Sequence, residues 1–153
     1  MVSSVPFPIR RLGLLARGAG VDRDNPSLSR LAAIEDPEKF VWAILPHAAR
    51  SFAPSILLLT EDDARTAAVG YLYARMLDTY EDLSADPSQA RESLARFAGR
   101  FGSGRPGLAP PAPSPASPDP RDRAHLLLVT RYRLVDEVFI GLDTATRARI
   151  VRL

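Results

Sequence analysis

The chain has 153 residues, 46% hydrophobic and 25% charged, with a formal net charge of +2. That fits one modest globular domain or a piece of a larger one, and the absence of cysteine excludes disulfides, thiolate metal sites and thiol catalysis. The arginines are scattered between acids rather than gathered in a stripe, which argues against a nucleic-acid partner.

Residues 1–35 contain Pro6, Pro8, Gly13, Gly18, Gly20 and Pro26 without sustained periodicity, and read as a loosely ordered extension. Arg10 and Arg11 break the apolar run that a signal peptide needs, and no later stretch approaches the ~18 apolar residues of a membrane span. A cytoplasmic protein is the default expectation, with peripheral membrane contact left open. Organised structure is predicted to begin at Asp36-Pro37-Glu38, where a capping acid, a proline at the first helical position and a first-turn acid coincide. Phe40, Val41, Ile44 and Leu45 supply its apolar face, and Pro46 is expected to kink or interrupt it. A helical pattern resumes over Ala48 to Leu59, again disturbed by Pro54.

Thr60-Glu61-Asp62-Asp63 reads as a capping box opening a helix from Glu61 to about Leu83. Asp86-Pro87 opens another that runs to about Phe101 and stops at Gly102 and Gly104, so residues 36–102 form the helical core. Residues 103–120 turn to Pro, Ala, Ser and Gly and read as a mobile loop or linker that buries almost nothing. Helix returns over Arg121 to Leu142, and Asp143-Thr144 caps one more, giving further helices of the same domain over residues 121–153. No strand alternation or hairpin dipeptide occurs, so the fold class is all-α. His47 and His125 lie far apart in the chain and lack metal-ligand spacing.

On a wheel of ~100° per residue, Tyr71, Arg75, Asp78 and Asp82 share one strip, with Glu81 at its margin. Val69, Leu72, Tyr73, Met76, Tyr80 and Leu83 lie opposite, as any packed helix requires. Asp78, Glu81 and Asp82 place three carboxylates within one turn, where they repel one another. Mg²⁺ relieves such repulsion, taking one or two carboxylates together with phosphate oxygens, and Arg75 one turn upstream is placed to grip a diphosphate. The plainer alternative is a solvated acidic face with Arg75 as an in-helix ion-pair partner.

Asp78-Thr79-Tyr80-Glu81-Asp82 resembles the first aspartate-rich motif of the squalene/phytoene synthases, in the D-T-x-E-D form of the squalene branch. Tyr71 to Leu77 is similar to the family's Y-x-x-x-R-x-x segment, and Ala49-Arg50-Ser51-Phe52-Ala53 resembles its earlier S-R-S-F segment, with Ala49 where many members carry serine. The resemblance covers residues 38–101 and, loosely, 124–153. It implies an antiparallel helical bundle of the isoprenoid-synthase type and head-to-head condensation of two prenyl diphosphates, such as farnesyl diphosphate, through a carbocation and a cyclopropyl intermediate. Asp78, Glu81 and Asp82 would hold Mg²⁺, while Arg50, Ser51, Tyr71 and Arg75 would contact diphosphate or line the same cavity. The squalene branch also reduces its intermediate with NADPH. Phe52, Tyr73 and Tyr80 are candidates for the cavity wall or, more simply, for the core.

The family's second aspartate-rich motif has no counterpart in residues 124–153, where Asp136 and Glu137 are adjacent and Asp143 stands alone. The expectation is therefore a truncated or split product, inactive alone, that needs a complementing chain or associates with itself. The rival readings are a helical interaction module and a non-catalytic remnant.

Overall fold

The computed structural model describes residues 6–113 and 119–152. Among these, nine helices and no strand occur, so the protein is all-α. They are α1 (Phe7–Ala19), α2 (Leu28–Ala32), α3 (Pro37–Ala49), α4 (Phe52–Leu57), α5 (Glu61–Asp82), α6 (Pro87–Gly99), α7 (Pro120–Thr130), α8 (Tyr132–Ile140) and α9 (Thr144–Val151). None of them is long and apolar enough to cross a membrane.

The helix starts follow local chemistry. Asp36 accepts from the Lys39 amide at 2.8 Å, Asp86 from Ser88 at 2.9 Å and Asp143 from Thr146 at 3.0 Å, each satisfying a donor that a helix start leaves free. At α5 the box is modified. Thr60 accepts weakly from the Asp63 amide at 3.4 Å, while its hydroxyl donates to the Asp63 carboxylate at 2.7 Å.

The central pair is α3 against α5, with α4, α6, α7 and α8 packed around them. Phe40, Val41, Ile44 and Leu45 from α3 meet Ala68, Val69, Leu72 and Met76 from α5 in a core that α7 and α8 complete with Leu128, Val129, Val135 and Phe139. Burying each of these side chains other than Ala68 contributes roughly 1.5–3 kcal/mol.

Four expectations give way to this packing. Residues 7–33 are not a loose extension: Phe7 packs at a tilt against Trp42, ring centres 6.3 Å apart, and Phe7 and Leu31 join the core. Pro8 sits in the first turn of α1, where its missing N–H costs nothing. Pro46 does not interrupt α3, which runs to Ala49. The lost hydrogen bond is outweighed by burial of Ile44, Leu45, Ala48 and Ala49 around it. The break falls instead at Arg50, which has φ 46° and ψ −109°. The long helix expected over Arg121 to Leu142 is two helices, divided at Arg131. There the Arg131 guanidinium donates to the Ile34 carbonyl and pairs with Glu35 at 3.0 Å, fastening that corner to the chain before α3.

The proline-rich segment is described as far as residue 113, and residues 114–118 of the expected linker lie outside the described residues, as do 1–5 and 153. What is described does bury something. Pro111 is buried, and its carbonyl accepts from the Tyr80 hydroxyl at 2.5 Å.

Candidate functional site

Helix α5 divides as its periodicity requires. Val69, Leu72, Tyr73, Met76 and Tyr80 are buried, so Tyr73 and Tyr80 belong to the core rather than to an open cavity wall. On the other side Asp78, Glu81 and Asp82 are exposed, and Tyr71 and Arg75 are half-buried. The Arg75 guanidinium lies 3.4 Å from the Asp78 carboxylate and 3.4 Å from the Tyr71 hydroxyl, so these three form one connected run. Tyr71 is joined in turn by Phe52, whose ring centre is 6.0 Å away and which is 60% exposed.

Arg50 and Ser51, both exposed, immediately precede Phe52 at the α3–α4 corner. They reach the strip through that neighbour rather than by a direct bond among the described contacts. Arg50 carries the one non-glycine positive φ among the described residues. A non-glycine backbone held outside the common wells costs about 1–3 kcal/mol, and such residues cluster at functional sites.

Among the described residues, no three His, Cys, Asp or Glu side chains are grouped to hold a metal ion. A closed metal site is therefore absent there. The α5 strip presents carboxylates to solvent, which suits only the open kind of site that a phosphate-bearing ligand completes.

A second feature was not legible in the spacing. His125 on α7 has Arg75 and Asp82 among its charged neighbours and hydrogen-bonds the backbone of His47 on α3. The two histidines, remote in sequence, are thus brought together beside the strip by the packing of α3 on α7. Burial holds both imidazoles below their ordinary range. Arg23 adds to this at His47, as does Arg75 at His125. His47 Nδ1 is buried without a hydrogen-bond partner among the described residues.

A third cluster is buried. The Asp136 carboxylate receives the Tyr73 hydroxyl at 2.8 Å and the Arg100 guanidinium at 2.5 Å. Arg100 also donates to the Leu108 carbonyl at 2.6 Å and lies over the rings of Phe97, Phe101 and Tyr132 at 5.0–5.5 Å. Burial pushes the Asp136 carboxyl up against the opposing pull of Arg100 and Tyr73, and burial beside that carboxylate raises the Tyr73 phenol. With every carboxylate oxygen engaged inside the core, this cluster ties α5, α6, α8 and the proline-rich segment together. A lone arginine set between Phe97 and Phe101 was the available signal for it.

Comparison of the chain with protein-family models, with curated proteins and with solved structures finds no match.

Proposed function

We propose that the α5 strip is a Mg²⁺-assisted diphosphate site, and that the protein is a prenyl-diphosphate-binding helical unit of the head-to-head prenyltransferase kind. The observation that carries this reading is the exposed Asp78, Glu81 and Asp82 set in line with Arg75 and Tyr71 on one face of α5. The motif resemblance and the strained Arg50 at the neighbouring corner add support.

In this reading Arg75 moves its guanidinium from Asp78 to the diphosphate, a small shift from a half-exposed pair that contributes roughly 0–1 kcal/mol. The Tyr71 hydroxyl, already hydrogen-bonded to Arg75, orients it, and Arg50 and Ser51 flank the ligand across Phe52. Bound Mg²⁺ would supply charge neutralisation of the departing diphosphate, with one or two carboxylates of the Asp78, Glu81 and Asp82 set as its protein ligands and phosphate oxygens completing its shell. Residue-level support for NADPH is absent, since no glycine-rich phosphate loop occurs in the sequence.

The test is calorimetric titration with a non-hydrolysable farnesyl diphosphate analogue, with and without Mg²⁺, beside Asp78→Ala/Asp82→Ala. Mg²⁺-dependent binding that the variant loses supports the site. Absence of binding to folded protein, or equal binding by the variant, removes it.

A second reading, an interaction module, draws on one observation. Ile9 and Leu12 on α1, and Leu58 and Leu59 at the end of the α4 that α1 packs against, are all between 42% and 69% exposed. Light scattering that shows concentration-dependent association, abolished by Leu12→Ser/Leu58→Ser, would favour it.

A further inference from the structure

A cleft of about 1140 Å³ opens between α1, α2, α3 and α8; His47 is on its lining, but no residue of the α5 carboxylate strip is. It exists because α1 turns glycine toward it. Gly13 and Gly18 lie on the lining, and a Cβ at Gly18 would already touch the Pro46 ring at 3.6 Å. The floor is aliphatic and aromatic, built from Leu14, Leu31, Trp42 and Val138.

The rim is charged and can be resolved pair by pair. Arg10 is bound to Glu61 at 2.8 Å and Arg65 to Glu38 at 2.7 Å, and Glu38 also receives the Trp42 indole at 3.0 Å. These charges are spent on one another. Arg17, Arg30 and Lys39 remain on the rim with no ion pair to a carboxylate among the described contacts. The acids left are Asp36, whose carboxylate caps α3, and Glu137, at the α8 edge beside Val138. Arg17 also donates to the Gly13 carbonyl at 3.1 Å, but counted by charge outside ion pairs three cations face two acids, an excess of one positive charge.

From this charge balance over an apolar floor we infer that the cleft binds a single-chain amphiphile with a monoanionic head, of the long-chain carboxylate class. The chain lies on Leu14, Leu31 and Trp42, and the carboxylate takes a place among Arg17, Arg30 and Lys39. A single excess charge matches a carboxylate better than a phosphate dianion. Ligand pockets of about 300–1,000 Å³ hold their ligands mainly through apolar contact, with a few polar groups fixing orientation, and this cleft is slightly larger than that range.

Trp42 is the chain's single tryptophan and lines the cleft, so its fluorescence reports occupancy directly. The experiment titrates dodecanoate below its micelle threshold into the whole chain, with dodecyltrimethylammonium as the charge-reversed control and phosphatidylglycerol vesicles as the membrane control. The expected result is a saturable Trp42 shift with dodecanoate, roughly tenfold weaker in Arg30→Ala/Lys39→Ala. Gly13→Leu sets a branched side chain on the cleft lining and a better helix former in α1, and should weaken dodecanoate binding while melting at or above the parent temperature. If Gly13→Leu fails to fold, the exposed Arg30→Ala/Lys39→Ala pair still decides the matter. Equal affinity for the cationic amphiphile, undiminished binding by Arg30→Ala/Lys39→Ala or a folded Gly13→Leu, or a response to vesicles alone would each overturn the inference. Asp78→Ala/Asp82→Ala should bind dodecanoate as the parent does, which separates failure here from failure of the α5 site.

Discussion

Replacing Asp136 by alanine should be among the most damaging single substitutions in this protein. The Arg100 side chain is 1% exposed and the Asp136 side chain 11%, so the pair lies away from water. Removing the carboxylate strands a buried guanidinium and leaves the Tyr73 hydroxyl without its acceptor. Breaking one half of a buried pair costs about 3–5 kcal/mol, and an unsatisfied buried hydroxyl roughly 1–3 more. Against a total stability of about 5–15 kcal/mol, Asp136→Ala should be barely folded. The combined variant Tyr73→Phe/Arg100→Met/Asp136→Leu strands nothing, because the released Leu108 carbonyl belongs to a residue 74% exposed. It should recover most of the loss, since apolar replacement of a whole buried ion pair is often neutral or stabilising. Urea unfolding followed by circular dichroism measures both, with an unchanged slope showing that two-state comparison holds. A loss below about 0.5 kcal/mol for Asp136→Ala, the range of a surface substitution, would refute the buried pair. So would a triple variant no better than the single one.

The histidine pair makes stability depend on pH in a defined direction. Burial holds both folded imidazoles below the ordinary histidine value of about 6.5, so stability is fully present above that value and is lost as pH falls toward the folded pKa, because the unfolded chain takes up protons first. Melting temperatures should drop from about pH 7.5 to about pH 5.5, and His47→Gln/His125→Gln should flatten that slope. A flat parent profile would sink the argument. Tyr80→Phe leaves the buried Pro111 carbonyl without its donor and should cost about 1–3 kcal/mol, with faster chymotrypsin cleavage at Leu108. Cleavage at the parental rate would mean that the hydroxyl does not hold the segment down.

What could be read from the sequence was what local chemistry decides. Asp36, Thr60, Asp86 and Asp143 announce helix starts because a capping side chain acts within three residues of itself. The two faces of α5 followed from period alone. The misread elements depend on partners far along the chain. Gly13, Gly18 and the early prolines look like breakers of α1, yet the helix is held by Phe7 on Trp42 and by Arg10 on Glu61, 51 residues away. Pro46 looks like a break because its cost is local, while the burial that overrides it is not. Nothing in the spacing of Arg100 and Asp136, or of His47 and His125, shows that they meet, since each pair is joined only by helix packing. The α5 carboxylates were legible as a strip, but their distance from Arg50 and Ser51 was not, because the turn at Arg50 has no proline or glycine to mark it.

The position of those carboxylates on α5 bears on the choice between a ligand site and a solvated face. The helix carries Glu61, Asp62 and Asp63 in its first turn, where acids complement the positive end of the helix dipole, and no basic residue in its last. Asp78, Glu81 and Asp82 stand at the negative end. Each unfavourable charge there costs about 0.3–1 kcal/mol, and the like-charged Asp78 and Asp82, four residues apart, add a few tenths. The half-exposed Arg75–Asp78 contact at 3.4 Å returns roughly 0–1 kcal/mol, which does not cover all three acids. Helix stability therefore does not explain this arrangement, and the diphosphate site proposed above would. Glu81→Gln/Asp82→Asn should consequently melt higher than the parent by an amount worth about 1 kcal/mol at low salt, with the gain shrinking as salt screens it. The same variant should lose Mg²⁺-dependent diphosphate binding. Stabilisation with loss of binding is the signature of carboxylates placed for a ligand. Destabilisation would mean that Glu81 and Asp82 serve the fold through partners of their own, and the diphosphate reading of the strip would fall with it.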